Sequence, residues 1–139
     1  MIYFLTESTR FVLKDKKACR AWLENIAYKK KHKIEALNYI FCSDEYLHHI
    51  NRKYLNHDPY TDIITFDPSE EKGVIEGDIF ISIDRVKENA GNYKTPFANE
   101  LYRVMAHGLL HLLGYKDKTP SQQKNMRQME NLCLRSRKF

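Results

Sequence analysis

Two histidines four residues apart, His107 and His111, are the residues best suited to chemistry in this chain. An α-helix turns once about every 3.6 residues, so this spacing places both imidazoles on one helical face, where they can bind one metal ion. Gly114 follows where a helix commonly ends in a left-handed residue, which lets the chain turn and bring Asp117 back toward the histidines. Three protein ligands with one open position are typical of catalytic zinc. The residues therefore predict one zinc ion per chain, bound by His107, His111 and Asp117.

A purely structural interpretation of the pair is the alternative, with both histidines satisfied by hydrogen bonds and Gly114 simply ending the helix. The best-known zinc motif of this spacing is His-Glu-x-x-His, in which the Glu is the general base of a peptidase. Here Gly108 follows His107. A peptidase assignment therefore lacks its base.

The histidine pair belongs to a longer motif over residues 105–117, Met-Ala-His-Gly-Leu-Leu-His-Leu-Leu-Gly-Tyr-Lys-Asp. This segment resembles the signature of the YbeY family of metal-dependent endoribonucleases, usually His-Gly-x-Leu-His-Leu-x-Gly-Tyr-Asp-His. Residues 51–66 are similar to the family's second segment, an Asn-x-x-Tyr stretch leading into Thr-Asp-Val-Leu-Ser-Phe. Residues 77–82 are similar to its third, Gly-Asp-Ile-x-Ile-Ser. Three motifs in order are far more specific than the histidine pair alone.

The resemblance implies a zinc-dependent endoribonuclease specific for single-stranded RNA. It implies a role in rRNA processing, including 16S rRNA 3′ end maturation, and in ribosome quality control, with the ribosome or ribosomal proteins as partners. A zinc-bound water is then the expected nucleophile, because the metal lowers the pKa of that water. Two alternatives stay open. One is an RNA- or ribosome-associated factor with a structural metal and weak catalysis, and the other is a metallohydrolase of another substrate class, such as a peptidase.

The chain departs from the family pattern at two positions. Where the family commonly has a third histidine, six residues after the second, this chain has Asp117, which can still bind zinc through oxygen. Where the family often has an Arg thought to face substrate, this chain has Leu55. We expect Arg52 or Lys53 to make that contact with substrate instead.

Four other polar side chains are weaker candidates for the site. Glu100, on the helix that carries His107, could transfer a proton, and His57 in a turn could line the cleft and contact substrate. Asp62 and Asp78 could orient a ligating histidine by accepting a hydrogen bond from it. Capping, surface hydrogen bonds or simple exposure are the alternative roles of these residues.

Composition indicates one domain, residues 1–139, that can bury a core without disulfides. The cysteines Cys19, Cys42 and Cys133 are far apart and form no Cys-x-x-Cys pair, so they are expected to be small buried side chains in a reducing compartment. The first residues make a poor secretory signal, and no segment approaches the roughly 18 apolar residues of a membrane span. We therefore expect a cytoplasmic protein with no membrane contact; its oligomeric state is left open.

The net charge of the chain indicates which class of partner it can bind. The formal charge is +5, with basic clusters at residues 29–33 and 135–138. A basic surface favours polyanions such as RNA through the release of counterions. Charge alone does not distinguish RNA from another polyanion, and such clusters are often simply solvated.

Hydrophobic periodicity predicts an α+β domain with a mixed sheet of about four strands packed with about five helices. Strands are predicted over residues 2–6, 33–42, 62–67 and 74–83, and alternation in the second places Ile34 and Leu37 on opposite faces. Helices are predicted over 16–30, from a cap at Ser43 to about Tyr54, from a cap at Asp84 to about Ala90, and from a cap at Thr95 through the histidines. A last helix is predicted after a capping box formed by Thr119 and Gln122, with Met126, Met129 and Cys133 facing inward. The metal site is expected at the end of a central, mostly buried helix.

Overall fold

The computed structural model describes residues 1–55, 61–69 and 71–139. Over these residues the chain forms one sheet of four strands and five helices, which confirms the predicted fold class. The strands are β1 (Ile2–Glu7), β2 (Lys33–Cys42), β3 (Ile63–Phe66) and β4 (Val74–Ser82). The helices are α1 (Lys16–Lys29), α2 (Asp44–Leu55), α3 (Ile83–Asn92), α4 (Phe97–Leu112) and α5 (Pro120–Arg135). None of the helices in the described ranges is long and apolar enough to cross a membrane.

The sheet has the strand order β1-β2-β4-β3. The central pairings β1–β2 and β2–β4 are parallel, whereas β3 pairs antiparallel with β4 at the edge of the sheet. Parallel neighbours need crossover connections, and α1 provides the one between β1 and β2. The sheet is therefore mixed, as predicted.

The two faces of the sheet are covered unequally. In β4, Ile79 and Ile81 point into the larger core, which α1, α3, α4 and α5 share. Phe80, between them, points to the other face and packs with α2 in a smaller cluster around Leu47 and Ile64. This alternation follows from the two-residue period of a strand. It places α4, with its histidines, on the well-covered face and α2 on the opposite one.

A β-bulge in β2 corrects one detail of the predicted pattern. Strict alternation places Ile34 and Leu37 on opposite faces, but both are buried in the larger core. The pairing with β4 shifts register between Ile34 and Ala36, so one extra residue reverses the alternation at this point. Ile34 can therefore cover the same core as Leu37.

The predicted capping box at the start of α5 is confirmed. Thr119 Oγ1 accepts a hydrogen bond from the backbone N–H of Gln122 at 3.1 Å, and Gln122 Oε1 accepts one from the backbone N–H of Thr119 at 3.1 Å. The first helical residue of α4 is Phe97, preceded by Pro96 with no side-chain cap, so the predicted cap at Thr95 is wrong. The box fixes where α5 begins and hence which of its residues face α4.

The predicted cap of α3 is also corrected. Ser82 Oγ accepts a hydrogen bond from the backbone N–H of Arg85 at 3.1 Å and is the cap. Asp84 lies inside the first turn, where its carboxylate accepts a hydrogen bond from the backbone N–H of Asp44 at 2.9 Å. The carboxylate thus holds the start of α2 beside α3.

The three cysteines are buried and free, as expected from their spacing. Burial raises the pKa of Cys19 and of Cys42 to about 12, and that of Cys133 to about 11. Thiols with such pKa values stay protonated near neutral pH. They act as small core side chains rather than as metal ligands.

Gly77 in β4 lies where two backbone segments approach closely. A Cβ atom at this position would lie 2.5 Å from the carbonyl oxygen of Phe66 in β3 and 3.4 Å from Leu112 of α4. A backbone oxygen cannot rotate away as the end of a side chain can. The contact between β3, β4 and the last turn of α4 therefore requires glycine here.

We expect Gly77→Ala to destabilise the protein by about 1–3 kcal/mol, because β3 must move away from β4. The matched control is Gly91→Ala in α3, where an added Cβ meets nothing within 4 Å. That change should stabilise the fold by up to about 1 kcal/mol through helix propensity. Urea denaturation measures both, and equal unfolding midpoints for the two variants would contradict the packing argument.

Candidate metal centre

Three side-chain atoms meet at the end of α4. The Nε2 atoms of His107 and His111 lie 2.9 Å apart, and Asp117 Oδ2 lies 3.3 Å from each of them. A tetrahedral zinc ion with bonds of about 2.0–2.1 Å separates neighbouring ligand atoms by about 3.3 Å. The predicted residues are thus brought together at separations that suit one metal ion.

The turn after α4 brings Asp117 to the histidines. Gly114 has a φ of 102°, and its backbone N–H donates to the carbonyl oxygen of His111 at 3.0 Å. The N–H of Tyr115 donates to the carbonyl oxygen of Leu110, also at 3.0 Å. Together these bonds form a Schellman motif, in which the left-handed residue is usually glycine. The expected left-handed conformation of Gly114 is confirmed.

Each histidine is oriented through its other ring nitrogen. Nδ1 of His107 lies 2.6 Å from Glu130 Oε2, and Nδ1 of His111 lies 3.1 Å from the carbonyl oxygen of Tyr115. An ionised carboxylate and a carbonyl only accept hydrogen bonds, so each neutral imidazole carries its proton on Nδ1. Both Nε2 lone pairs then face each other and the carboxylate of Asp117. A cation among them satisfies all three acceptors, so this donor set fits a metal ion.

Glu130 is a site residue that the sequence analysis missed. Its side chain is 7% exposed and also meets Nη1 of Arg103 at 3.1 Å and Nη1 of Arg127 at 3.5 Å. A signal was present: Glu130 lies four residues after Met126 and three before Cys133, on the face of α5 that was predicted to point inward. An acidic residue on an apolar helix face indicates a buried partner, because an unpaired carboxylate is costly to bury.

The pKa values of the Glu130–His107 pair move in opposite directions. Burial raises the pKa of Glu130, but the hydrogen bond and charge of His107, together with Arg103, outweigh it and lower the pKa. For His107, burial lowers the pKa, whereas the hydrogen bond and charge of Glu130, together with the charges of Asp117 and Asp62, raise it by more. The lowered pKa of Glu130 favours its ionised carboxylate, and the raised pKa of His107 favours the protonated imidazole beside it.

Asp62 and Asp78 were predicted to orient a ligating histidine, but Glu130 and the carbonyl of Tyr115 do so instead. Both Nδ1 atoms are occupied by Glu130 and the Tyr115 carbonyl, as described above. Asp62 does line the cavity beside His107, and burial raises its pKa despite the opposing charge of that histidine. Asp78 lies on the α2 face of the sheet and accepts a hydrogen bond from Asn38 Nδ2 at 2.9 Å.

A cavity of about 280 Å³, here called the metal cavity, adjoins His107 and Asp117. Glu100 lines it and is only 5% exposed. Burial, and then the charge of Asp62, raise the pKa of Glu100. The lining residues are Asp62, Asn89, Tyr93, Glu100, Arg103, Val104, His107, Asp117, Arg127 and Glu130. The candidate proton carrier therefore lines the same cavity as two of the three candidate ligands.

Two of the residues expected to contact substrate lie away from this cavity. Arg52 and Lys53 are exposed in the last turn of α2, and the described lining of the metal cavity includes neither. Lys53 Nζ lies 5.2 Å from the ring centre of Tyr54, which is 58% exposed and lines a separate groove on the α2 face. His57 and the side chain of Leu55 lie outside the described residues.

Comparison with known proteins gives one consistent result. Residues 5–138 match the family model described as Endoribonuclease YbeY. A curated protein of that name from Cytophaga hutchinsonii is 58% identical over 138 residues, which cover 99% of this chain and 96% of the relative. Another from Amoebophilus asiaticus is 46% identical over 133 residues, covering 96% and 90%. The solution structure of TM1509 from Thermotoga maritima has a TM-score of 0.69 and 28% identity, covering 98% of this chain and 88% of that one.

We expect Glu130→Gln to weaken zinc binding about 10- to 100-fold, because the neutral amide orients His107 less firmly and no longer increases its basicity. Competition with a coloured chelator measures the affinity. Glu24→Gln, on the exposed surface of α1, is the matched control and should bind zinc like the unaltered protein. Equal affinities for all three proteins would show that Glu130 contributes nothing to the metal centre.

Proposed function

The chain belongs to the YbeY family of endoribonucleases, and from that premise we propose that it cleaves single-stranded RNA with one zinc ion held by His107, His111 and Asp117. The observation that carries the proposal is the convergence of three acceptor atoms at 2.9 and 3.3 Å, with both Nδ1 atoms already engaged. A zinc ion bound there would lower the pKa of a water and stabilise negative charge on a phosphoryl oxygen.

The protein's own groups supply the rest of the chemistry in this proposal. Glu130 and the Tyr115 carbonyl keep the two imidazoles in the tautomer that presents Nε2 to the metal. Glu100 is the proposed carrier of the proton, because it lines the same cavity and burial raises its pKa toward the range useful for proton exchange. Asp117 adds a negative charge that should hold the cation firmly.

For the biological substrate we propose rRNA, with 16S rRNA 3′ end maturation and ribosome quality control as the processes served. The support is the family's endoribonuclease activity together with the net charge of +5, which favours a polyanion. Action on rRNA makes the ribosome or its proteins the proposed partners and the cytoplasm the proposed location.

One alternative has a specific observation in its favour. Leu55 stands where the family often has an arginine, which would suit an RNA-associated factor with a structural metal and weak catalysis. A peptidase is disfavoured, because Gly108 occupies the position of the required glutamate.

The deciding experiment is cleavage of a single-stranded RNA by zinc-loaded protein, with casein as the competing substrate. We expect RNA cleavage that a chelator abolishes and added zinc restores, and no proteolysis. The double variant His107→Ala/His111→Ala should lose both bound zinc and cleavage. If the unaltered protein binds zinc but does not cleave RNA, the structural-metal alternative is favoured. If its cleavage of RNA survives chelation, a metal-dependent mechanism is refuted.

Substitutions of Asp117 test the third ligand separately. Asp117→Ala should lose most zinc affinity and activity, whereas Asp117→His should keep zinc, since an imidazole is also a good ligand. Elemental analysis and RNA cleavage provide the two readouts. If Asp117→Ala bound zinc as tightly as the unaltered protein, Asp117 would be a turn residue and not a ligand.

A further inference from the structure

One side of α4 carries a row of polar residues on an otherwise apolar helix. Asn99, Arg103, His107 and His111 follow each other at four-residue intervals, so they lie along one face. At about 1.5 Å per residue, the row is about 18 Å long. The two candidate metal ligands occupy only its C-terminal half. The other half is Asn99 and Arg103, of which only Arg103 contributes to the metal centre, through its ion pair with Glu130.

α5 and the residues just after it follow this polar row in the opposite direction. Glu130 contacts His107 and Arg103, and farther along Arg137 Nη2 donates a hydrogen bond to Asn99 Oδ1 at 3.2 Å. The basic C-terminal residues are therefore brought beside the start of α4.

A second cavity of about 290 Å³ lies at that end of the row. We call it the arginine cavity; its lining residues are Thr95, Asn99, Glu100, Arg103, Leu134, Arg135 and Arg137. Glu100 and Arg103 line both this cavity and the metal cavity. The two spaces therefore lie next to each other along α4.

The arginine cavity combines three guanidinium groups with a single carboxylate. The Arg137 guanidinium is fixed by stacking, with its carbon 4.6 Å from the ring centre of Tyr102 and 5.2 Å from that of Phe139. Its Nε is buried and has no hydrogen-bond partner within the described part of the chain. Arg135 is exposed at the cavity. A planar guanidinium held in place by stacking, beside a second, exposed guanidinium, is well suited to a phosphate group.

We propose that the arginine cavity binds a backbone phosphate of the RNA strand, to one side of the bond that is cleaved at the metal centre. The inference rests on the proposed function, since it takes the strand in the metal cavity to be RNA. Arg103, one helical turn and about 6 Å from His107, links the two spaces. Phosphate contacts position a strand without reading its bases, so the site is expected to tolerate any sequence.

The test is steady-state cleavage of single-stranded RNA by the zinc-loaded double variant Arg135→Gln/Arg137→Gln. We expect KM to rise about 10-fold or more, since hydrogen bonds between charged groups are lost, while kcat stays nearly unchanged. The slope of log affinity against log salt should become shallower by about 0.7 for each phosphate contact removed.

Two further variants separate a local contact from other effects. Lys14→Gln/Lys17→Gln removes the same charge from two exposed lysines that line neither cavity, and should leave KM and the salt slope unchanged. Arg135→Gln alone removes an exposed side chain without disturbing the stacking of Arg137, and should still raise KM. Thermal unfolding of each variant identifies any loss of folding.

The possible outcomes are distinct. An equal rise in KM for the arginine and lysine double variants would overturn the proposal in favour of general electrostatic attraction. Normal KM and salt slope in both arginine variants, with RNA cleavage intact, would overturn the proposal and leave the proposed function standing. Failure of the unaltered protein to bind or cleave RNA would refute the proposed function and this inference together.

Discussion

The hydrogen bond between His107 and Glu130 joins the two helices on which the site depends. A carboxylate that is 7% exposed is costly to bury unless opposite charges and donors surround it. Glu130 obtains these from His107, Arg103 and Arg127, of which the first two belong to α4. The same contacts of Glu130 therefore pack α5 against α4 and orient the imidazole of His107. Removing the partners of this carboxylate would lower the free energy of unfolding by about 3–5 kcal/mol, because a buried charge would be left unpaired. The same interaction therefore supports both the metal centre and the fold.

Much of this arrangement could be predicted because its causes are local in sequence. Periodicity identifies α4, the four-residue spacing aligns its histidines, and the left-handed residue Gly114 turns the chain toward Asp117. The capping box likewise fixes the start of α5. Each signal depends on a few consecutive residues and on steric or hydrogen-bonding rules that need no knowledge of the rest of the molecule.

The features that escaped prediction depend on which elements become neighbours. Glu130 is 23 residues from His107, and only the antiparallel packing of α4 and α5 brings them together. Asp78 was a reasonable partner for a histidine, yet strand alternation directs it to the α2 face. Ile34 faces the larger core because β2 has a bulge where it pairs with β4. Sequence periodicity indicates which face of an element is buried, but not which other element packs against that face.

The three candidate ligands and Glu130 also have a consequence for the order of folding. All four lie within the helical hairpin of α4 and α5, whereas the sheet joins residues as distant as β2 and β4. Closing a short loop costs less chain entropy than closing a long one, and local contacts form sooner. The hairpin is therefore the part of the molecule whose native contacts can be made earliest. A metal ion captured by such a nascent hairpin would cross-link it, and the slower parallel pairing of the sheet would then proceed on a scaffold that is already in place.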